Sequence, residues 1–444
     1  MNFLQRLFGN SDPSDPSEPN IKFGRYSDSY KSAAQYEAWD ESLENFEKEN
    51  YVVSFDAFFR YLRDDKDENV KWQEENGAIQ FEFYQGSKKI FGTASIRNFK
   101  AEAKVAKARQ LNIGFMRRLI EQNFDLKYSR FALDDQNDIA IVFDTSSLDG
   151  SPYKLYYALK EMAVNADKMD DLLIDEFDVL EQIESSHILD LSEPEKEAKY
   201  AYIQSEITKV FEEIDHGKLR PEQYPGAIAY LLLDLSYRLD YLISPEGFMM
   251  ERLKKIHRLY FENDGKTTPQ KTALMRKNLD QLTTRTKEEF FKEMYRVKAT
   301  FGITTPVNHD RVAAFIDGEL HNMDWDKDNR HERVAMAIPG YIVGYCLFNY
   351  AAPKPVRELF HLYFKITEQE FFNSLGFSLN FQDARSGELN RKNIKSAIEK
   401  IVKDNERIFP KLKPDFFSLN YSSRPEFAKS YLTMIRNLDT TKVD

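Results

Sequence analysis

Three short runs of alternating apolar residues, separated by two turn signals, constrain this chain more than any other feature of its sequence. The runs cover residues 70–72, 79–83 and 90–96, and Asn76-Gly77 and Gly86-Ser87 separate them. Apolar residues at every second position predict β-strands with one buried face, because side chains alternate between the two faces of a sheet. Asn-Gly and Gly-Ser favour two-residue hairpin turns, which need positive φ angles. This segment is therefore predicted to form a three-stranded antiparallel meander.

The residues around the meander predict a complete α+β unit. A short amphipathic helix is expected at residues 54–62, and residues 101–123, rich in Ala, Lys, Arg and Glu without proline, favour a second helix. Two more alternating runs at 126–133 and 139–143 predict strands, and a long helix is expected at 152–184, with Pro152 in its first turn. The predicted order is α-β-β-β-α-β-β-α, with a five-stranded antiparallel sheet and helices to one side.

This pattern resembles a known fold. The element order, the strand Phe81-Glu82-Phe83, the strand at 139–143 and one helix motif carry the resemblance; that motif comprises Asn165, Ala166, Asp167, Asp170, Asp171, Leu172, Leu173 and Phe177. Residues 51–186 resemble the type III secretion chaperone-like fold and, within it, the YbjN-type domain, a bacterial family described as sensory-transduction regulators. The resemblance implies a non-enzymatic module that binds other proteins, often as a dimer, and it carries over no active-site residue. The segment before residue 51 and the long C-terminal part are not in that pattern.

The C-terminal part is predicted to be helical throughout. Apolar residues at helical spacing, punctuated by prolines, predict helices at 194–214, 225–243, 245–261, 269–301, 307–320, 329–350, 354–375 and 390–405. Pro339 should kink or divide its helix, because it lacks a backbone donor. Asp234 and Arg238 at i, i+4 predict an ion pair within one helix. The chain is thus divided into a flexible tail with a helical lead-in at 1–50, the α+β domain at 51–188 and an all-helical domain at 189–444.

Two surfaces of the N-terminal part are candidates for binding a partner. A helix is expected at residues 32–49, and its apolar side includes Trp39 and Phe46, which pack either on the protein's own body or on another chain. The end of the long predicted helix is strongly acidic and would attract a basic segment, although acids also fill the solvated side of an ordinary helix. Its candidate contacts are Asp170, Asp171, Asp175 and Asp178.

Composition excludes several classes of protein. The 444 residues carry 73 acids against 62 bases, a formal charge of −11, so no nucleic-acid partner is expected. A single cysteine, Cys346, excludes a disulfide framework and fits a reducing compartment. No secretory signal or transmembrane run is expected, and contact of an apolar N-terminal segment with a membrane surface is a weaker alternative. These features predict a cytoplasmic protein.

One region combines the residue types that a metal site needs. Residues 309–332 contain three of the seven histidines of the chain. Asp317 and His321 share a helix face at i, i+4, and His331 comes from the next helix, which would give two imidazoles and a carboxylate around a hydrolytic metal. The alternative is a polar loop in which Asn329 and Glu332 cap a helix.

The sequence contains no common nucleotide or nucleophile motif, and we expect no cofactor. Gly265-Lys266-Thr267 imitates the end of a phosphate-binding loop, but Tyr260 replaces the glycine that such a loop requires. We therefore predict a protein-binding adaptor or chaperone-like protein that acts through its α+β domain. The expected partner is another protein, and a homodimer is also possible. The alternatives are a metal-dependent hydrolase around residues 309–331 and a purely structural scaffold.

Overall fold

The protein is built around two hydrophobic cores. The computed structural model describes residues 18–183, 187–221, 223–383 and 385–443, but not the side chain of Asp171. The first core lies between a sheet and the helices that cover it, and the second lies among the helices of the C-terminal part. The cores do not follow the sequence strictly. Phe301 belongs to the first core, whereas Ile21 and Phe23 pack against the second.

Two helices precede the sheet. Helix α1 covers Ala33–Glu47 and begins at a capping box in which Ser32 and Gln35 each bond to the backbone of the other. Helix α2 covers Tyr51–Leu62, and its phenylalanines are completely buried on the sheet. The amphipathic pattern of both segments therefore predicts their helices correctly.

The predicted meander is confirmed. Strands β1 (Val70–Glu75), β2 (Ala78–Gln85) and β3 (Lys88–Ser95) pair antiparallel in sequence order. Two-residue turns join them, with φ angles of 52° and 74° at Asn76 and Gly77 and 57° at Gly86. Glycine and asparagine tolerate this left-handed region, so local chemistry fixed both hairpins.

The prediction of a helix at residues 101–123 is wrong over its first half. Residues Asn98–Ala108 form strand β4, the longest strand of the sheet, which pairs with β3 and with β6. Ala101, Ala103 and Val105 face the core, while the polar residues between them point away. Composition favours a helix here, but pairing with two neighbouring strands outweighs that weak local preference.

The rest of the first unit completes a mostly antiparallel α+β fold. Its remaining elements are α3 (Ile113–Asp125), β5 (Arg130–Leu133), β6 (Ile139–Ser146), α4 (Pro152–Glu176) and β7 (Leu180–Gln182). The sheet has seven strands in the order β1-β2-β3-β4-β6-β5, with β7 also paired to β4, and not the five strands predicted. The long helix ends at Glu176, earlier than expected, because the chain turns there to add β7 to the sheet.

The C-terminal part is mainly helical, as predicted. Its helices are α5 (Glu193–His216), α6 (Pro225–Ile243), α7 (Gly247–Phe261), α8 (Thr268–Thr283), α9 (Lys287–Lys292), α10 (His309–Leu320), α11 (Met323–Asp328), α12 (Glu332–Asn349), α13 (Lys354–Thr367), α14 (Gln369–Ser374), α15 (Arg391–Asn405) and α16 (Arg424–Arg436). Four two-residue strands, which the sequence did not predict, form two small pairs: β8 (Leu189–Asp190) with β9 (Tyr295–Arg296), and β10 (Thr305–Pro306) with β11 (Tyr350–Ala351).

Several helix predictions in this part need correction. The single helix predicted at 354–375 is two helices, α13 and α14, which are separated at Glu368. The single helix predicted at 269–301 is two helices, because Thr286 and Glu289 form a new capping box. Helix α12 is not divided at Pro339 and continues from Glu332 to Asn349. The sequence did not predict helices α11 and α16. Among the described residues, no helix is long and apolar enough to cross a membrane.

Helices α6 and α12 cross closely at the centre of the C-terminal part, and glycines permit this approach. A Cβ atom on Gly340 would lie 2.0 Å from the carboxylate of Asp234, and one on Gly344 would lie 2.5 Å from Cβ of Tyr237. Both distances are shorter than atoms can approach without displacement. The two glycines therefore let α12 pack directly on α6. They also bring the backbone of α12 against the buried side chain of Asp234.

Candidate functional site

Helix α3 exposes a continuous row of large apolar side chains. Ile113 is 86% exposed, Ile120 is 71% exposed and Phe124 is 91% exposed, and Met116 completes the row. Steps of three and four residues place these four side chains on one narrow face of the helix. Single exposed apolar residues are common, but a contiguous row of four is typical of a protein–protein contact surface. We call these four side chains the α3 face.

The opposite side of α3 fixes the helix to the sheet. Phe115 and Leu119 are buried, and the ring of Phe115 packs edge-on against Phe177 at a centroid distance of 6.2 Å. The side chain of Asn123 donates to the carbonyl of Phe131 at 3.1 Å and accepts from its N–H at 2.6 Å. Because packing and hydrogen bonds both hold the helix, the α3 face is presented in a defined orientation.

Charged residues border the α3 face. Arg117 and Glu121 lie together on one side of it and form an i, i+4 ion pair at 3.1 Å. Arg118 lies further round and reaches the carboxylate of Glu176 at 3.7 Å. An apolar centre with a charged border matches the general composition of protein interfaces.

The expectations for the partner-binding residues did not include α3, although its signal is in the sequence. The apolar positions of the segment 113–124 form two rows, one with Phe115 and Leu119 and one with Ile113, Ile120 and Phe124. A helix packs on its own sheet through one apolar row, so a second apolar row on the same helix remains available for another contact. Reading residues 101–123 as a single helix concealed the second row.

The lead-in residues Trp39 and Phe46 are half-buried against the protein's own body. The indole of Trp39 lies 4.7 Å from the ring of Tyr61 and 5.0 Å from that of Tyr153, measured between centroids. Phe46 lies 5.8 Å from Tyr51. These contacts correspond to the first of the two expectations for this helix, packing within the chain.

The acidic residues at the end of α4 have different environments. Asp170 is completely buried and its carboxylate pairs with the Lys88 ammonium at 2.5 Å, so it is not on the surface as expected. Asp175 is exposed and lies 3.9 Å from Arg285, and Asp178 is exposed. The side chain of Asp171 is outside the described part of the structure.

The three residues of the predicted metal site have separate surroundings. Asp317 pairs with Arg436 at 2.5 Å, and His321 is exposed at the end of α10. The ring of His331 stacks on Trp325 with centroids 5.3 Å apart. Among the described residues, no group of three or more His, Cys, Asp or Glu side chains could hold a metal ion. No contact in that part of the chain favours the hydrolase alternative.

Cys346 is a core residue of α12. Burial raises the pKa of its thiol well above the usual range, which suppresses the thiolate that a nucleophile requires.

No protein-family model matches the chain, and a search of curated proteins gives no match either.

Proposed function

We propose that this chain is a non-enzymatic protein-binding adaptor and that the α3 face is its docking surface. The observation that carries the proposal is the row of four exposed apolar side chains on a helix whose other side is anchored to the sheet. Burying one isoleucine or phenylalanine side chain contributes about 1.5–3 kcal/mol, so covering this row would drive association. The YbjN-type resemblance of residues 51–186 points to the same class of function.

The first occupant we propose is the α3 face of a second copy of this chain. If two α3 helices pack antiparallel, with the twofold axis crossing the α3 face midway between Ile113 and Phe124, Ile113 of one copy meets Phe124 of the other. Met116 then meets Ile120, and Arg117 faces Glu121 across the axis. A twofold interface must be complementary to itself, and this row satisfies that requirement in both its apolar and its charged positions.

The test is the mass of the full-length chain in solution, measured by light scattering and by sedimentation. We expect a dimer that Ile120→Asp converts to a monomer, because each dimer loses two apolar contacts and gains two buried carboxylates. If each copy loses about 1.5 kcal/mol or more of binding free energy, the dissociation constant should rise at least about 100-fold. Leu148→Asp is the matched control, since Leu148 is 69% exposed elsewhere in the same domain, and it should leave the dimer intact.

Charge reversal gives a second test of the arrangement. Arg117→Glu should weaken the dimer by placing two carboxylates opposite each other, and adding Glu121→Arg should restore it. A monomer that captures another protein through an intact α3 face, and loses it in Ile120→Asp, would keep the adaptor function with a different occupant. If the chain is a monomer and Ile120→Asp changes its binding to no other protein, both the dimer and the adaptor function are refuted.

A further inference from the structure

A large cavity lies in the C-terminal part, away from the α3 face. Its volume is about 1010 Å³; helices α5, α6, α12, α13 and α14 line it, and one side opens to solvent. Its lining includes the side chains of Glu206, Asp234, Arg238, Tyr363 and Glu368. Ligand pockets in proteins typically have volumes of about 300–1,000 Å³, so this cavity is large enough for a small organic ligand.

Three carboxylates inside this cavity surround one guanidinium. Arg238 contacts Glu206 at 2.7 Å, Glu368 at 3.2 Å and Asp234 at 3.3 Å. The hydroxyl of Tyr202 donates to Glu368 at 2.8 Å. Lys209 also contacts Glu206, at 2.7 Å, so two cations face three carboxylates. The group therefore carries one excess negative charge whenever Asp234 is ionised, in a site that is largely shielded from water. Buried charge is stable only where it is paired, so this group favours a further cation.

Two hydroxyl groups on α13 reach the same cavity and have no partner in the part of the chain that the structure describes. The hydroxyl oxygens of Tyr363 and Thr367 are buried, and no described group forms a hydrogen bond with either. Tyr363 is only 1% exposed. These residues are one helical turn apart and both line the cavity, so their oxygens can accept from the same ligand. A buried polar group without a partner costs about 1–3 kcal/mol, which a bound donor would recover.

The raised pKa of Asp234 is consistent with a site that favours a further cation. Burial raises the pKa of its carboxyl to about 7; Arg238 opposes that shift, whereas Glu368 and Glu206 add to it. The neighbours that face Asp234 are Arg238 from α6 itself, Glu206 from α5, Gly340 from α12, and Tyr363 and Glu368 from α13 and its C-terminal end. Near neutral pH, a cation could therefore displace a proton from this carboxyl.

We propose that this cavity binds a small organic cation, a primary alkylammonium whose ammonium group is held by Asp234 and the hydroxyl oxygen of Tyr363. An anionic ligand fits less well, because the residues that line the cavity include six carboxylates and only four cations. A metal ion is not favoured either, since the described carboxylates do not form a metal-holding group. An alkylammonium needs only carboxylate and hydroxyl acceptors, which the cavity supplies.

The test is calorimetric titration of the full-length chain with three five-carbon probes: cadaverine, 1,5-pentanediol and glutarate. We expect saturable binding of cadaverine alone, and a dissociation constant that rises at least about tenfold in Asp234→Asn. Asp404→Asn is the matched control, because it makes the same charge change at an exposed position on α15. Affinity for cadaverine should also increase as the pH rises through 7 in the unmodified chain, and that dependence should disappear in Asp234→Asn.

Tyr363→Phe separates ligand binding from folding. The substitution removes only a hydroxyl that has no described partner, so the variant should melt at the temperature of the unmodified chain or above it. We expect it to weaken cadaverine binding several-fold. The proposal is overturned if cadaverine shows no saturable binding at millimolar concentration, or if the diol or the diacid binds as tightly. It is also overturned if Asp234→Asn binds cadaverine as well as Asp404→Asn does, or if Tyr363→Phe leaves affinity unchanged.

Discussion

The buried ion pair between Lys88 on β3 and Asp170 on α4 joins the sheet to its long covering helix. The side chains are 2% and 0% exposed, and the ammonium and the carboxylate lie 2.5 Å apart. Lys88 also donates to the carbonyl of Val105 at 2.9 Å, and Ser87 donates to Asp170 at 2.6 Å. Water cannot compensate either charge in this position, so each depends on the other.

We predict that Asp170→Asn destabilises the protein by about 3–5 kcal/mol, the cost of leaving one charge of a buried pair without its counterpart. The matched control is Asp144→Asn, which breaks the ion pair with Arg130 on the same sheet. Those two side chains are 53% and 57% exposed, and the loss should be below about 1 kcal/mol. Asparagine is nearly isosteric with aspartate, so both variants change charge and preserve shape.

Urea unfolding followed by tryptophan fluorescence measures both free energies, because Trp39 and Trp72, two of the three tryptophans, lie in the N-terminal part. Lys88→Met should cost a similar amount to Asp170→Asn. The double variant should cost less than the two single changes together, by at least about 2 kcal/mol, because it leaves no unpaired charge. If Asp170→Asn loses no more stability than Asp144→Asn, the reasoning about this pair is refuted.

Two further predictions concern close packing and pH. Gly344→Ala should cost about 1–3 kcal/mol, since its Cβ would lie 2.5 Å from Cβ of Tyr237. Gly318→Ala, whose Cβ would have no described atom within 4 Å, should stabilise α10 by about 0.5–1 kcal/mol. Equal effects in urea unfolding would contradict this. Burial raises the pKa of Asp167 to about 7, so the folded state keeps a proton that the unfolded state has lost above about pH 4. Stability should therefore fall as the pH rises from 5 to 8. Asp167→Asn still accepts from the N–H of Ser87 and should lose less stability over that interval; parallel curves would count against the assignment.

The sequence predicted the hairpins well because their signals are local. Asn76, Gly77 and Gly86 adopt the positive φ angles that their residue types favour, and the strands on either side alternate as expected. Strand β4 was missed for the opposite reason. Its alanines, lysines and glutamate favour a helix locally, and only pairing with β3 and β6 decides for a strand.

The candidate sites show the same contrast between contacts that are local in sequence and contacts that are not. The ion pair between Asp234 and Arg238 follows from i, i+4 spacing, and the structure confirms it at 3.3 Å. The other members of that group, Glu206 and Glu368, are separated from Arg238 by 32 and 130 positions, so no spacing rule could assemble them. Conversely, Asp317, His321 and His331 are close in sequence, but they have different partners or face solvent.

What the sequence determined by itself is the local level: the turns, most of the amphipathic helices, the α+β character of the N-terminal part and the helical character of the rest. Only the tertiary structure decided which of the two apolar rows of α3 is buried, and that Asp170 lies in the core while Asp175 remains outside. The physical reason is that propensity and periodicity act over a few residues. Burial and the pairing of charges depend on elements that meet only after the chain has folded.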